Sequence, residues 1–394
     1  MLRPVSLTAL LVVVAALVSA CGATTHAAAP HPLVIGALFS ATGNGASIGP
    51  QQANGARLAV ADINRAGGID GAPLRLDLRD DRTDTVVAVA QLRSLARGAA
   101  LAVLGPTLSI VALSVDPVAN NLRMPVLAVS NTIKGLVGTC AYPCSWIWRA
   151  SLGEAVAVPA DIDAYASREH ARSAAVLYTT PDALGEQEAD AAVASFKRDG
   201  VAVHRFAVPA DTIDIAPFVA HALASKPSVL FVGSSFAITM GTAIKGARAR
   251  GFHGAILGGN VLNSDTTAAL AGSEGAGVQS AAAWSADNAF PANATFVTRY
   301  VQHYGTQPDE FAAQAYAGVQ ILAQAIERAH LATSTASPAA QRALLQKALP
   351  EVALQTPLGP FRFTADHDVQ QIVWIRAFDG RGGNHLVGFC DPEC

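Results

Sequence analysis

The sequence predicts an α/β protein of two lobes, each built on a mostly parallel sheet with helices on both faces. Three observations lead there. Apolar runs of strand length alternate with stretches of helical periodicity over most of the chain, the pattern of parallel strands joined by helical crossovers. The alternation breaks near Arg149 and restarts at Ser173, giving two series. The length, 394 residues, is enough for two domains with sizeable cores.

The first series opens with a buried strand at residues 33–39. A glycine-rich turn at 40–50 leads into a helix over 52–66, with Ala56, Ala59, Val60 and Ile63 on one face. Gly67 and Gly68 end it. A strand at 74–78, a helix at 84–97 and a strand at 100–104 follow. This last run ends in Gly105-Pro106, after which Thr107 and Ser109 open a helical stretch; a further apolar run at 126–129 ends in Ser130, Asn131 and Thr132. Hydroxyls thus stand at the carboxyl ends of two strands, where open α/β sheets bind ligands. The same residues also fit an N-cap at Ser109 and a plain turn at 130–132. A cysteine loop at 140–144 and a strand at 146–150 close the series.

The second series has strands at 173–178, 201–208, 229–232, 255–257 and 277–283, with helices at 185–199, 214–225 and 236–251. Three helical stretches come next, at 294–304, 310–330 and 338–349. The chain closes in sheet at 359–363, 369–378 and 385–387, around a hairpin at Asp379-Gly380.

Hydrophobic residues make up 51% of the chain and charged ones 14%, a globular rather than disordered composition. A formal charge of −3 without any basic stripe gives no electrostatic case for nucleic acid. At the N-terminus, Arg3 supplies a positive n-region and residues 7–18 an apolar h-region, closed by Val18-Ser19-Ala20-Cys21. That is a secretory signal over 1–20, and its end resembles a bacterial lipobox, which implies cleavage before Cys21 and a lipid on its sulfur. The apolar run falls short of the roughly 20 residues a membrane span needs. Residues 21–32 read as a tether, so the expected location is extracytoplasmic, held to the membrane by lipidated Cys21. Four cysteines remain. Cys140 with Cys144 and Cys390 with Cys394 suggest two local disulfides, and a crossed linkage between the two pairs stays open. The C-x3-C spacing suits neither redox catalysis nor zinc, and no metal is expected.

Several apparent motifs dissolve. Gly43, Gly45 and Gly49 are spaced one residue too long for a dinucleotide fingerprint; their loop is expected instead to let backbone approach a ligand in a cleft. No phosphate-binding Gly-Lys-Ser/Thr loop and no G-x-S-x-G elbow occurs. His170, His204, His221, His253 and His303 are scattered. Asp80-Asp81, between Arg79 and Arg82, reads as a solvated or salt-bridged turn. The expectation is therefore a non-enzyme without a cofactor.

Residues 33–132 carry I-G-A-L-F-S-A-T-G from Ile35, G-A-R-L-A-V-A-D-I-N-R-A-G-G-I-D-G from Gly55, the strand-end Asp80-Asp81, L-G-P-T-L-S from Leu104 and the hydroxyl turn at 130–132. This resembles the first lobe of type I periplasmic binding proteins, specifically the branched-chain amino acid receptors of ABC importers. Weaker similarity continues through Trp148-Arg149, Gly185-Glu186 and residues 233–236 to Gly359-Pro360. The resemblance implies two α/β lobes joined by three crossings near residues 148–152, 281–285 and 356–361. Lobe I would comprise 33–149 and 284–357, and lobe II 150–283 and 358–394. It implies a ligand carboxylate held by Ser109, Ser130 and Thr132, with Ile48 against the ligand side chain. Across the cleft, Leu184 and Phe236 stand where the family places aromatics, and Asn260 where it places an acid against the ligand ammonium. An uncharged Asn gives up a charge-assisted bond roughly twice as strong as a neutral one. The expected protein is a monomeric lipoprotein that closes on a small amino-acid-like ligand and hands it to an ABC permease. A receptor of the same fold feeding a signalling partner is the second reading, and an exported α/β enzyme the third.

Overall fold

The computed structural model describes residues 31–390; the signal sequence, Cys21 and Cys394 lie outside the described residues. Five parallel strands form the first sheet: β1 (Leu33–Phe39), β2 (Leu74–Asp80), β3 (Ala100–Leu104), β4 (Val126–Ala128) and β5 (Ile147–Arg149), in the order β2-β1-β3-β4-β5. Helices α1 (Gly49–Arg65), α2 (Thr85–Arg97) and α3 (Ser109–Leu122) connect them. Each start and stop has a local cause. Pro50 sits in the first turn of α1, where its missing N–H costs nothing. Asp84 caps α2 by accepting from the amides of Val86 and Val87.

The second sheet repeats this order. Strands β6 (Ser173–Thr180), β7 (Ala202–Pro209), β8 (Val229–Gly233), β9 (Ala255–Gly258) and β10 (Gln279–Ala282) run parallel as β7-β6-β8-β9-β10. The antiparallel hairpin of β14 (Val373–Phe378) and β15 (Asn384–Cys390) extends it. Its helices are α4 (Glu154–Ala166), α5 (Ala183–Arg198), α6 (Ala216–Ala224), α7 (Ala237–Ala249) and α8 (Asp265–Ala271). The chain leaves the first sheet after β5 and the second after β10. It then forms α9 (Pro291–Tyr304), α10 (Glu310–Arg328) and α11 (Pro338–Ala348), passes through a small antiparallel sheet of β11 (Ala353–Thr356), β12 (Gly359–Phe363) and β13 (Val369–Gln370), and re-enters the second sheet at β14. The expected single strand over 369–378 is thus two strands in different sheets. Helix α4 was not expected at all.

Helix α10 belongs to the first lobe although it lies far along the chain. Gly55 of α1 abuts it so closely that a Cβ there would stand 2.0 Å from the Ala312 carbonyl oxygen, so only glycine permits the approach. Cys140 and Cys144 are bonded to each other, which excludes the crossed linkage; Cys390 is also disulfide-bonded.

The crossings are stapled by aromatic and charged contacts. Trp148, fully buried, stacks on His367 with centroids 3.7 Å apart and meets the edge of Phe363. Arg149 donates from Nε to Asp368 at 2.7 Å and from Nη1 to the carbonyls of Thr132 and Ile133. First crossing, third crossing and hydroxyl turn are therefore held by one guanidinium. Arg149→Met, which keeps the stem, should lower unfolding free energy by about 2–4 kcal/mol. That is less than a fully buried pair loses, because Asp368 is 31% exposed and can rehydrate. Denaturant titration by circular dichroism measures it.

Candidate functional site

Each parallel sheet reverses strand order once, between β1 and β3 and between β6 and β8, and ligands of open α/β sheets bind outside such points. Polar contacts bridge the two strand ends at each. In the first lobe the Ser40 amide donates to Thr107 Oγ1 at 2.9 Å. In the second, the amide and hydroxyl of Ser235 both donate to Asp182, at 2.7 and 2.6 Å. The expected site residues distribute over these two places: Ile48 and Ser109 on one, Leu184 and Phe236 on the other.

The first-lobe hydroxyls divide into used and unused. Gln52 on α1 donates from Nε2 to Ser130 Oγ at 2.7 Å and accepts from Thr107 Oγ1 at 2.6 Å, while Ser130 Oγ donates to the Thr107 carbonyl at 2.7 Å. Ser130 is therefore a brace between the β3 and β4 ends, with its one proton occupied. Ser109 is the first residue of α3 and does not cap it; its Oγ accepts from the Thr132 amide at 3.3 Å. The Thr132 carbonyl accepts from the Glu154 amide at 3.0 Å. Thr132 Oγ1 has no partner within the hydroxyl turn and lies against the Glu154 carboxyl.

Beyond Thr132 stands a group of acids. Glu154 begins α4, Glu310 begins α10 and Glu188 lies within α5; all three are buried. Glu188 accepts from the amides of Ser234 and Asn260, each at 3.0 Å. Gly259 makes room for it, since a Cβ there would sit 1.8 Å from Glu188 Oε1. Asn260 donates from Nδ2 to Glu310 Oε1 at 3.1 Å, a direct bond between lobes. Glu310 Oε2 and both Glu154 carboxyl oxygens make no hydrogen bond of good geometry, although the Thr132 hydroxyl lies close enough to Glu154 to favour its charge; the nearest cation to Glu310 is Arg376, 4.0 Å away. Burial pushes the Glu154 carboxyl up to about 8, with the charge of Glu310 adding to it; the neighbouring Thr132 hydroxyl and Arg149 oppose the shift without cancelling it. Burial likewise raises Glu310 to about 7 against the pull of Arg376. Glu188 is raised by burial, then by Glu154 and Asp182.

Ser109, Thr132 and Asn260 are thus linked through Glu154 and Glu310. Ile48 and Leu184 share one apolar cluster that runs through both lobes and includes Phe311 and Val261. Phe236 is half-buried at the N-terminal end of α7, bonded locally to Ser234. The three glutamates were not foreseen. Asn260, at the position where the family places an acid, bonds to an acid remote in sequence, Glu310. One expectation needs correction in part. Neither Asp80 nor Asp81 is salt-bridged: Asp80, still partly exposed, accepts from Ala41, Thr42 and Arg82 amides, whereas Asp81 is fully buried under Ser40 Oγ and the Thr83 amide, and Arg79 pairs with Asp77. The Gly43 and Gly49 backbones press on the Arg82 and Ser40 carbonyls, contacts within their own lobe. Among the described residues, no group of three or more His, Cys, Asp or Glu side chains is arranged to hold a metal ion, and no helix is long and apolar enough to cross a membrane. A groove of about 850 Å³ between α4 and β13–β15 contains none of the expected site residues.

Residues 32–384 match the family model described as periplasmic binding protein, and the chain belongs to that family of extracytoplasmic solute-binding proteins. Among curated proteins, an amino acid binding protein of Pseudomonas aeruginosa is 42% identical over 88 residues, 22% of this chain and 23% of that one. Its match therefore spans under a quarter of the relative's length. Among solved structures, a leucine-binding protein of Thermotoga maritima is similar with a TM-score of 0.81 at 18% identity, covering 92% of this chain and 99% of that one. A solute-binding protein from R. palustris, solved with benzoate, gives 0.78 at 22% identity over 91% and 96%. At these identities the structures share the two-lobed fold.

The raised carboxyls make stability depend on pH with a definite sign. A carboxyl whose folded pKa exceeds its unfolded value stabilises fully below the unfolded value, and that stabilisation is lost as pH rises through the folded one. For Glu154 and Glu310 the window runs from about 4.5 up to about 8 and about 7. The melting temperature of ligand-free protein should fall from pH 6 to pH 9, and Glu154→Gln should flatten that slope. Differential scanning fluorimetry across the range checks both.

Proposed function

We propose that this protein is the receptor of an ABC importer, capturing a small polar solute between its lobes and passing it to the permease. Lipidated Cys21 would hold it at the outer face of the cell membrane as a monomer. The observation that supports this reading is one cluster of unpartnered buried polar atoms where the switch points of both lobes meet: Thr132 Oγ1, the Glu154 carboxyl and Glu310 Oε2. Native interiors pair the large majority of buried side-chain polar atoms. Several orphans converging from α4, α10 and the β4 turn suit a molecule that supplies their partners. The surrounding residues suit a ligand with a polar end and an apolar body. Ser109 and Thr132 offer hydroxyls to the polar end, and Ile48 and Leu184 belong to an apolar wall. Asn260 bonds across the lobes, and Phe236 stands half-buried at the second switch point.

In the family resemblance Ser130 was a ligand contact. Its hydroxyl is engaged by Gln52 and Thr107, so its part here is to hold the turn that presents Thr132. Domain bounds of 33–149 with 284–357, and 150–283 with 358–394, remain the working division into moving bodies.

A thermal-shift screen of amino acids, short carboxylates, amides and urea-like compounds tests the reading. A concentration-dependent rise in melting temperature is expected for at least one class; a flat response to all of them counts against it. For whichever compound binds, Ser109→Ala with Thr132→Ala should weaken affinity by about 1–3 kcal/mol, the cost of leaving ligand groups unpaired. Wild-type affinity in the double variant, by calorimetry, would remove both residues from the site.

A further inference from the structure

The charges around the cluster are one-sided. Glu154, Glu188 and Glu310 converge on it, with Asp182 beside Glu188 and Asp309 and Asp265 beside Glu310 and Arg376. Two cations lie within reach, and both are committed elsewhere. Arg149 is bonded to Asp368 and to the carbonyls of Thr132 and Ile133. Arg376 donates to Asn384 Oδ1 at 2.6 Å and to the Trp284 carbonyl, leaving Glu310 at 4.0 Å. A ligand carboxylate entering here would add to buried negative charge and find no unpaired guanidinium or ammonium. A ligand carrying positive charge and N–H donors would meet Glu310 Oε2, which has no hydrogen-bond partner, and the Glu154 carboxyl, which has only the Thr132 hydroxyl and the distant charge of Arg149 in its favour. Charge-assisted bonds of that kind are about twice as strong as neutral ones.

Resting on the reading of this cluster as the solute site, we infer that the ligand is an organic cation without an acid group: an ammonium, amidinium or guanidinium head on a small apolar body. The head sits among Glu154, Glu310 and Thr132. The body lies along the apolar cluster that contains Ile48, Leu184, Phe311 and Val261; Phe311 follows Glu310 and Val261 follows Asn260 directly in the chain. Binding exchanges protons for the ligand charge. Below neutral pH the carboxyls of Glu154 and Glu310 hold protons and are uncharged, so the cation must displace them, and affinity rises with pH.

A matched set of benzylamine, benzamidine, benzamide, benzoate and leucine separates head-group charge from body shape. Calorimetry with the full wild-type protein at pH 6 and pH 8, in two buffers of different ionisation enthalpy, reads both affinity and protons released. Expected is binding of benzylamine or benzamidine, at least tenfold tighter at pH 8, with net proton release and weak or no binding of benzamide and benzoate. Glu154→Gln and Glu310→Gln, each checked for folding by circular dichroism, should each weaken the cation at least tenfold at pH 8. Silence of both cations overturns the inference. If benzoate or leucine binds in that case, the solute-receptor reading stands with a different ligand class; if the whole set is silent, that reading rests on the wider screen alone. Cation binding with no pH dependence and no effect of either variant also overturns it, by placing the cation outside this cluster.

Discussion

The Arg149 guanidinium is the contact on which the geometry of the cleft depends. It lies at the end of β5, where the chain leaves the first sheet, and its planar fork faces three ways at once. One edge pairs with Asp368 on the third crossing; the remaining nitrogen reaches the carbonyls of Thr132 and Ile133. Ser151 adds a bond from its hydroxyl to the Asn131 carbonyl at 2.7 Å, and the Glu154 amide another to Thr132. The hydroxyl turn is thus fixed from the hinge side, and α4 starts directly beneath it. A lysine could not reproduce this, because a point charge has no fork to hold two partners in fixed directions.

That fixation sets up an electrostatic conflict. Glu154 and Glu310 each occupy the first turn of a helix, a place that favours negative charge by roughly 0.3–1 kcal/mol, up to about 2 in buried settings. Removing a carboxylate from water costs several kcal/mol even after relaxation. Burial is the larger effect, and the two acids titrate near neutrality despite the helix ends and despite Arg149 and Arg376. Structural ion pairs resolve such a conflict with a dedicated partner, as Arg149 does for Asp368. Here Glu310 has Asn260 and, at 4.0 Å, Arg376, and Glu154 has the Thr132 hydroxyl; neither has a close cation, which fits the proposed site.

How much of this the sequence carried follows from what each signal encodes. Hydrophobic periodicity encodes burial, and it located nearly every strand and helix of both sheets, because parallel strands covered on two faces read as unbroken apolar runs. It failed at α4, where Pro159 interrupts the helical interior and the periodic face is short. With α4 went Glu154. The first-lobe hydroxyls were legible because strand-end turns bring them together locally. Whether a hydroxyl faces the cleft or its own lobe is decided by Gln52, a residue of another element, and so Ser130 and Thr132 could not be told apart. The acid beside Asn260 was invisible for the same reason: Glu310 reaches it through tertiary packing of α10 on α1, set by the contact of Gly55 with Ala312.

The same residues explain how firmly the lobes are held together. Away from the crossings, direct polar contacts across the cleft include Asn260 to Glu310 at 3.1 Å, Arg376 to Glu310 at 4.0 Å, the Lys134 amide to Gln187 at 2.6 Å, and a long contact of 3.5 Å from Thr266 to the Ser47 carbonyl. At about 0.5–1.5 kcal/mol net each, these bonds supply only a few kcal/mol. The apolar cluster shared by Ile48 and Leu184 adds to this, but the acid group subtracts, since carboxyls from both lobes are brought together. Under the proposed function, a ligand that neutralises the acids acts on the term that opposes closure. A population shifts only by the difference in affinity between its states. Under the proposed function that difference falls on Glu154 and Glu310, two buried acids whose charges oppose each other.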